Sequence, residues 1–236
     1  VKVLITRSRE DGERLATVLA ERGIDSLLAP LLEIDIFAGP PLAVDGVQAV
    51  LATSANGIRA FAERSPERRI PVFAVGDATA RLAVNMGFAS VSTASGDVDT
   101  LAERVIEALP ADGGDLLHVA GTKVAGDLGG RLGEHGFSYR REVIYEAKRV
   151  PALDPAAIEA IRTGAIDGIL FYSPRTASIF VELAERAGIK GDLDAVAAYC
   201  LSEAVARRIE DLTWRVIGIA NRPDQESMLA LVEGAA

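Results

Sequence analysis

The chain repeats itself over a long interval, and that repeat limits what it can fold into. Leu4, Leu15, Leu19, Glu21 and Gly23 find Leu117, Leu128, Leu132, Glu134 and Gly136 at one constant spacing, and Glu33 finds Glu146 at the same spacing. Further along, Thr53-Ser54-Ala55-Asn56-Gly57 answers Tyr172-Ser173-Pro174-Arg175-Thr176, and Phe61 answers Phe180. Gly76-x-x-Thr79-Ala80 then answers Ser202-x-x-Val205-Ala206, the spacing widening as small loop insertions would widen it. Solenoid units of ~20–50 residues are far shorter than this. The repeat implies a duplicated α/β module, with a cleft between similar halves where a ligand could sit.

Short apolar runs alternate with amphipathic stretches, which predicts strands separated by helices and hence parallel sheets covered on both faces. Strands are expected at Val3–Thr6, Leu27–Phe37, Val47–Ala52, Val72–Val75, Ser90–Ser92, Leu116–Ala120, Tyr139–Lys148, Gly168–Phe171, Val196–Cys200 and Arg215–Ile219. Helices are expected at Glu10–Arg22, Asn56–Arg64, Ala78–Met86, Asp99–Ala108, Val124–His135, Pro155–Arg162, Arg175–Arg186, Glu203–Glu210 and Gln225–Val232. Leu27–Phe37 and Tyr139–Lys148 are unusually long for strands and fall at equivalent places in the two copies. Each could leave one sheet and enter the other. If they do, the fold is two similar doubly wound parallel-sheet domains, one inserted in the other and joined by a two-stranded connector, the arrangement that the family resemblance given below also implies. Domain 1 would comprise residues 1–36 with 149–236, and domain 2 residues 38–147. Two tandem domains divided near residue 114 are the alternative.

The composition, 49% hydrophobic and 25% charged over 236 residues, is that of an ordinary well-cored protein. A formal charge of −9 argues against nucleic acid as a partner, because phosphate binding needs a basic surface. No apolar run approaches the ~18–20 residues that span a bilayer. The chain opens directly on a strand-like segment with no export signal, so a cytoplasmic protein is expected. One cysteine and two histidines leave little for a disulfide or a metal site. The protein is expected to need no metal or cofactor and to act as a monomer.

Ligands of open α/β sheets bind beyond the carboxyl ends of the strands. The strand-to-helix turns there are Thr6–Arg9, Thr53–Gly57, Gly76–Thr79, Thr93–Thr100, Gly121–Lys123, Ser173–Thr176, Ser202-Glu203 and Asn221–Pro223, rich in Ser, Thr, Asn and Gly. Any one of them could simply cap a helix. Together they offer N–H groups and hydroxyls that would let an acidic protein hold carboxylates. Other motifs fail. Gly121-Thr122-Lys123 lacks the order of a phosphate loop, no G-x-G-x-x-G follows the first strand, and neither Ser54 nor Ser173 sits in a G-x-S-x-G elbow.

Leu4-Ile5-Thr6-Arg7, Pro30-Leu31-Leu32-Glu33-Ile34, Thr53–Gly57, Val75–Ala80, Val143-Ile144-Tyr145-Glu146 and Phe171-Tyr172-Ser173-Pro174, in this order, resemble uroporphyrinogen-III synthases over essentially the full length. The resemblance implies closure of hydroxymethylbilane, a linear tetrapyrrole with eight carboxylates, to uroporphyrinogen III with inversion of ring D. Loss of the hydroxyl gives an azafulvene, and a spiro intermediate then fragments and recloses. It also implies that Tyr145 assists departure of the hydroxyl as a proton or hydrogen-bond donor. By the same resemblance Ser54, Asn56, Thr79 and Ser173 line the cleft. Arg7 could pair with a substrate carboxylate. The second copy departs from the family pattern: Val205 offers no hydroxyl, and Ser202 replaces a glycine as cap or donor. A cytoplasmic two-domain binder without catalysis remains the alternative, with a phosphosugar enzyme a weaker third reading.

Overall fold

In the computed structural model, which describes residues 1–94, 96–124 and 126–234, the strand and helix centres follow the apolar periodicity. Ser95, in the turn Thr93–Thr100, and Ala125, in the expected helix Val124–His135, lie outside the described residues. The elements in order are β1 (Lys2–Ile5), α1 (Arg9–Glu21), β2 (Asp25–Leu28), β3 (Leu32–Ile36), β4 (Val47–Ala52), α2 (Ala55–Arg64), β5 (Val72–Val75), α3 (Asp77–Asn85), β6 (Val91–Ala94) and α4 (Val98–Ala108). They continue with β7 (Asp115–Gly121), α5 (Leu128–Glu134), β8 (Tyr139–Arg149), α6 (Pro155–Arg162), β9 (Gly168–Phe171), α7 (Pro174–Ala187), a 3-10 turn (Lys190–Asp192), β10 (Ala197–Cys200), α8 (Glu203–Ala206), β11 (Val216–Ile219) and α9 (Gln225–Glu233).

The chain forms two compact units, Val1–Glu33 with Lys148–Ala236, and Ile34–Ala147. The two crossings of the chain between them fall inside β3 and β8. The first unit holds a five-stranded parallel sheet in the order β2-β1-β9-β10-β11. The second is built on the order β8-β7-β4-β5-β6, with β3 outside β8. These orders match strand for strand when β1 is set against β7, β2 against β8 and β9 against β4. The sequence repeat makes the same pairing. Each unit therefore joins a parallel β-α-β unit from one copy of the repeat to the remaining strands of the other copy.

The glycines bear out the correspondence. Gly23 after α1 and Gly136 after α5 both sit at positive φ, 71° and 80°, where the chain turns from helix to strand. Leu15 and Leu19 of α1 and Leu128 and Leu132 of α5 are buried against their own sheets. Phe61 and Phe180 are both fully buried; Phe180 packs edge-to-face with Phe171 and tilted against Trp214 at centroid distances of 5.2 and 6.0 Å, and Phe61 lies tilted against Phe88 at 5.8 Å.

Three expected elements are corrected. Leu27–Phe37 is two strands, because Ala29 and Leu31 donate to Ile5 and Thr6 at the end of β1, while Pro30 between them has no N–H to extend the ladder. The stretch re-forms as β3, which runs antiparallel to β8: Phe37 N–H reaches Ile144 O, and Val150 N–H reaches Leu31 O. Helix α5 starts only at Leu128, since Gly126 at φ 71° cannot be helical and Asp127 caps the helix by accepting from Gly130 N–H at 2.9 Å. Helix α8 is a single turn. The bonds that follow, Arg208 N–H to Val205 O and Ile209 N–H to Ala206 O, span three residues and replace the helical ladder.

Gly57 explains itself by contact. A Cβ there would come within 2.5 Å of Val119 O on β7, so the first turn of α2 lies directly on its sheet. Its counterpart in the repeat, Thr176, is accommodated and buried. Gly57→Ala should cost about 1–3 kcal/mol, the usual penalty of overpacking, read by urea unfolding, with the secondary structure intact.

Candidate active site

In each unit the strand order reverses at one place, between β1 and β9 in the first and between β7 and β4 in the second. Such switch points are where open α/β sheets bind ligands. The expected site residues divide between them. Arg7, Ser173 and Ser202 follow the adjacent strands β1, β9 and β10; Ser54, Asn56 and Thr79 follow β4 and β5, and Tyr145 lies on β8.

At the first switch point Thr6 is fully buried, and its Oγ1 donates to Leu170 O at 2.7 Å, tying the end of β1 to β9. Arg7 follows directly. Its Nη2 pairs with Asp11 Oδ2 at 3.1 Å, and its guanidinium carbon sits 4.6 Å from the centre of the Tyr172 ring. An incoming carboxylate would thus share a guanidinium already held in place by Asp11. The Tyr172 hydroxyl is buried and, among the described residues, without a hydrogen-bond partner; burial pushes its pKa up to about 12. Ser173 caps α7, accepting from Thr176 N–H at 3.1 Å, and lies 2.9 Å from the Thr176 hydroxyl. Ser202 occupies the cap position of α8 but makes no side-chain cap bond.

At the second switch point Ser54 caps α2 by accepting from Asn56 N–H at 3.2 Å. Asn56 Oδ1 accepts from Arg59, a buried cation on the next turn. Thr79 is buried in the first turn of α3. Tyr145 stands level with the last residue of β7: it is in register with Gly121, and Thr122 N–H donates to its carbonyl at 3.1 Å. The ring packs closely against Gly121, where a Cβ would come within 2.9 Å of Cε2 and Cζ and 3.2 Å of the hydroxyl. Glycine at this position makes room for the tyrosine. Arg141, also on β8, fastens the turn by donating to Gly121 O at 2.8 Å and Thr122 O at 3.3 Å.

His118 was legible only as one of two histidines. It is 2% exposed on β7, between Tyr139 Oη at 2.7 Å from Nδ1 and Thr53 Oγ1 at 3.4 Å from Nε2. Burial, then the nearby Arg141 charge, lowers its pKa from 6.5 to about 4, so the ring is neutral. The signal in the sequence is a lone histidine inside the apolar run Leu116–Ala120, one strand from Thr53. Cys200 is buried, its thiol pushed up to about 12, which makes it a packing residue. A cavity of about 670 Å³ beside α4 and α5, lined by Glu103, Glu107, Arg131 and Glu134 among others, contains none of the expected site residues. Among the described residues no helix is long and apolar enough to cross a membrane.

Two parallel-sheet units that each gather hydroxyl and amide donors at a switch point define a two-unit α/β protein suited to a polar small molecule. The model of the family described as uroporphyrinogen-III synthase HemD matches residues 13–230. The chain belongs to the uroporphyrinogen-III synthase family. Among solved structures it is similar to uroporphyrinogen-III synthetase from Helicobacter pylori 26695, at 19% identity and a TM-score of 0.66, covering 100% of this chain and 99% of that one. It is also similar to a mutant uroporphyrinogen III synthase from the extremely thermophilic bacterium Thermus thermophilus, at 17% identity and a TM-score of 0.52, covering 100% and 97%. At these identities the likeness speaks to the fold. No curated protein sequence matches the chain.

Two outcomes test this geometry. Gly121→Ala should displace the Tyr145 ring, seen as a changed near-ultraviolet tyrosine signal, while leaving the far-ultraviolet spectrum unchanged. His118, whose folded pKa lies below its unfolded one, contributes stability that is present above about pH 6.5 and lost as the pH falls towards about 4. Between about pH 7 and about pH 5 the wild type should therefore lose about 2 kcal/mol more than His118→Leu in urea unfolding.

Proposed function

We propose that the protein is a cyclising hydro-lyase that closes hydroxymethylbilane to uroporphyrinogen III with inversion of ring D and loss of water. The observation that carries the reading is Tyr145. In a chain of this family, its ring is seated on Gly121 at the carboxyl end of β7, with its backbone pinned by Thr122. A phenol so held can donate to the departing hydroxyl, which leaves as water while the pyrrole nitrogen gives up its proton and the azafulvene forms. Ring D then closes through its substituted carbon, and the spiro intermediate fragments and recloses to the type III isomer. Unguided closure gives the symmetrical type I product. The protein's larger task is accordingly to hold one folded conformer, which needs placed donors more than strong acids or bases.

The proposal assigns substrate contacts to turns of each unit. These are Arg7, Ser173 and Ser202 with their backbone N–H groups in the first unit, and Ser54, Asn56 and Thr79 in the second. Donors at helix starts suit a protein of charge −9, which has no general positive field to offer an anion. We read the protein as a cytoplasmic monomer working without a nucleic-acid partner. Membership of a synthase family weighs against the non-catalytic binder.

Incubation with freshly prepared hydroxymethylbilane should yield the type III isomer by chromatography; type I alone would overturn the proposal. Tyr145→Phe should lower the rate of type III formation roughly 100-fold with KM nearly unchanged, as expected for a donor acting in the transition state. Retention of the full rate would remove Tyr145 from the mechanism.

A further inference from the structure

We propose that His118 is a positioning residue, whose Nε2–H holds Thr53 Oγ1 as an acceptor and so leaves the Thr53 hydroxyl hydrogen for a substrate carboxylate. The inference rests on the reading of the β4 turn as a binding element. It begins from the two unequal contacts of a buried ring. At 2.7 Å the Tyr139–Nδ1 contact is shorter than the ~2.9–3.0 Å typical of an N–H donor and fits a phenol O–H donating to nitrogen. Nδ1 is then the acceptor. A neutral imidazole carries one hydrogen, which places it on Nε2. Its partner in reach is Thr53, at 3.4 Å.

Neutrality is set by the surroundings. Burial comes first, in the apolar layer of Leu51 on β4 and Leu116 on β7, and the positive charge of Arg141 on β8 adds to it. Burial raises the Tyr139 pKa above its ordinary value; the Arg141 charge opposes this and Asp127, before α5, adds to it, and the net shift favours the protonated phenol. The phenol therefore stays a donor, and the tautomer is imposed from the far side of the ring. Thr53 itself is half-buried at the end of β4, directly before the cap Ser54. With Oγ1 accepting from His118, and no other hydrogen bond of that oxygen among the described residues, its hydrogen is left uncommitted beside the β4 turn and available to what occupies the switch point. A hydrophobic residue at position 118 would free the Thr53 rotor and remove this bias.

The tautomer is read first, by nitrogen NMR of the imidazoles of the wild-type protein. There are two histidines, and His135→Gln assigns the signals. A protonated Nε2 with an unprotonated Nδ1 is expected; the opposite tautomer overturns the inference. Binding of uroporphyrin III, the stable oxidised tetrapyrrole octacarboxylate, is read second, by its fluorescence. Thr53→Val and His118→Leu should each raise Kd roughly tenfold, and the double variant should be no weaker than either alone. Thr53→Ser and His118→Gln, which keep the hydroxyl and a donor in its place, should stay within about twofold of wild type, which separates positioning from a loss of fold. Additive losses, unchanged Kd in both single variants, or a wild type that does not bind uroporphyrin III overturn the inference. Failure to form the type III isomer with binding intact would overturn only the proposed reaction.

Discussion

The pairing of β1 with β9, and its counterpart β7 with β4, holds each unit together and also locates its chemistry. At both places a strand of one copy of the repeat lies beside a strand of the other. At both a polar side chain crosses the join: Thr6 donates to Leu170 O in the first unit, and Thr53 meets His118 in the second. A buried polar group must find a partner or cost the desolvation of that group, about 1–3 kcal/mol. These bonds therefore fix the register at the point where the two connections diverge and their helix starts are left open. Stability and site depend on the same few ångströms.

The two copies have since diverged at those helix starts, and the backbone records it. Gly76 caps α3 at φ 76°, ψ 148°, a conformation that side chains avoid, whereas Ser202 caps α8 at φ −161°, ψ 166°, which any residue adopts. The serine is thus a different turn and not merely a substituted glycine. Val205, opposite Thr79 in the repeat, has joined the apolar core and is 1% exposed. A substrate whose product has lost its rotational symmetry does not require matching donors, and the copies do not supply them.

Much of this was readable in the sequence because the periodicity of buried strands is strong. Val47–Ala52, Val72–Val75 and Gly168–Phe171 stand where the apolar runs put them. The misreadings share one cause: an apolar stretch tells where burial continues, not where the backbone ladder stops. Pro30 divided Leu27–Phe37, Gly126 delayed α5, and three-residue bonds replaced the end of α8. In the candidate site, the turns were visible as clusters of Ser, Thr and Asn. His118 was not, because its partners Thr53 and Tyr139 come from other strands and only sheet order brings them to it.

Sequence reasoning set capping against binding as rival roles for Ser54 and Ser173, and the hydrogen-bond directions remove the rivalry for one of them. A capping serine accepts an N–H with a lone pair, which leaves its own hydrogen to donate. Ser54 is in that state: Oγ accepts from Asn56 N–H, and the cap bond orients the oxygen. Ser173 is less available. Thr176 Oγ1 donates to Ser173 O at 3.0 Å, so the Ser173 hydrogen is drawn to Thr176 Oγ1 at 2.9 Å, and the pair closes on itself. In the first unit Ser173 would turn its hydrogen to an anion only by giving up that contact, so Arg7, Ser202 and backbone N–H groups come first; in the second unit the hydroxyls do. The buried chain from Tyr139 through His118 to Thr53 belongs to the second kind, and it extends the orientation that capping gives Ser54 to the residue beside it.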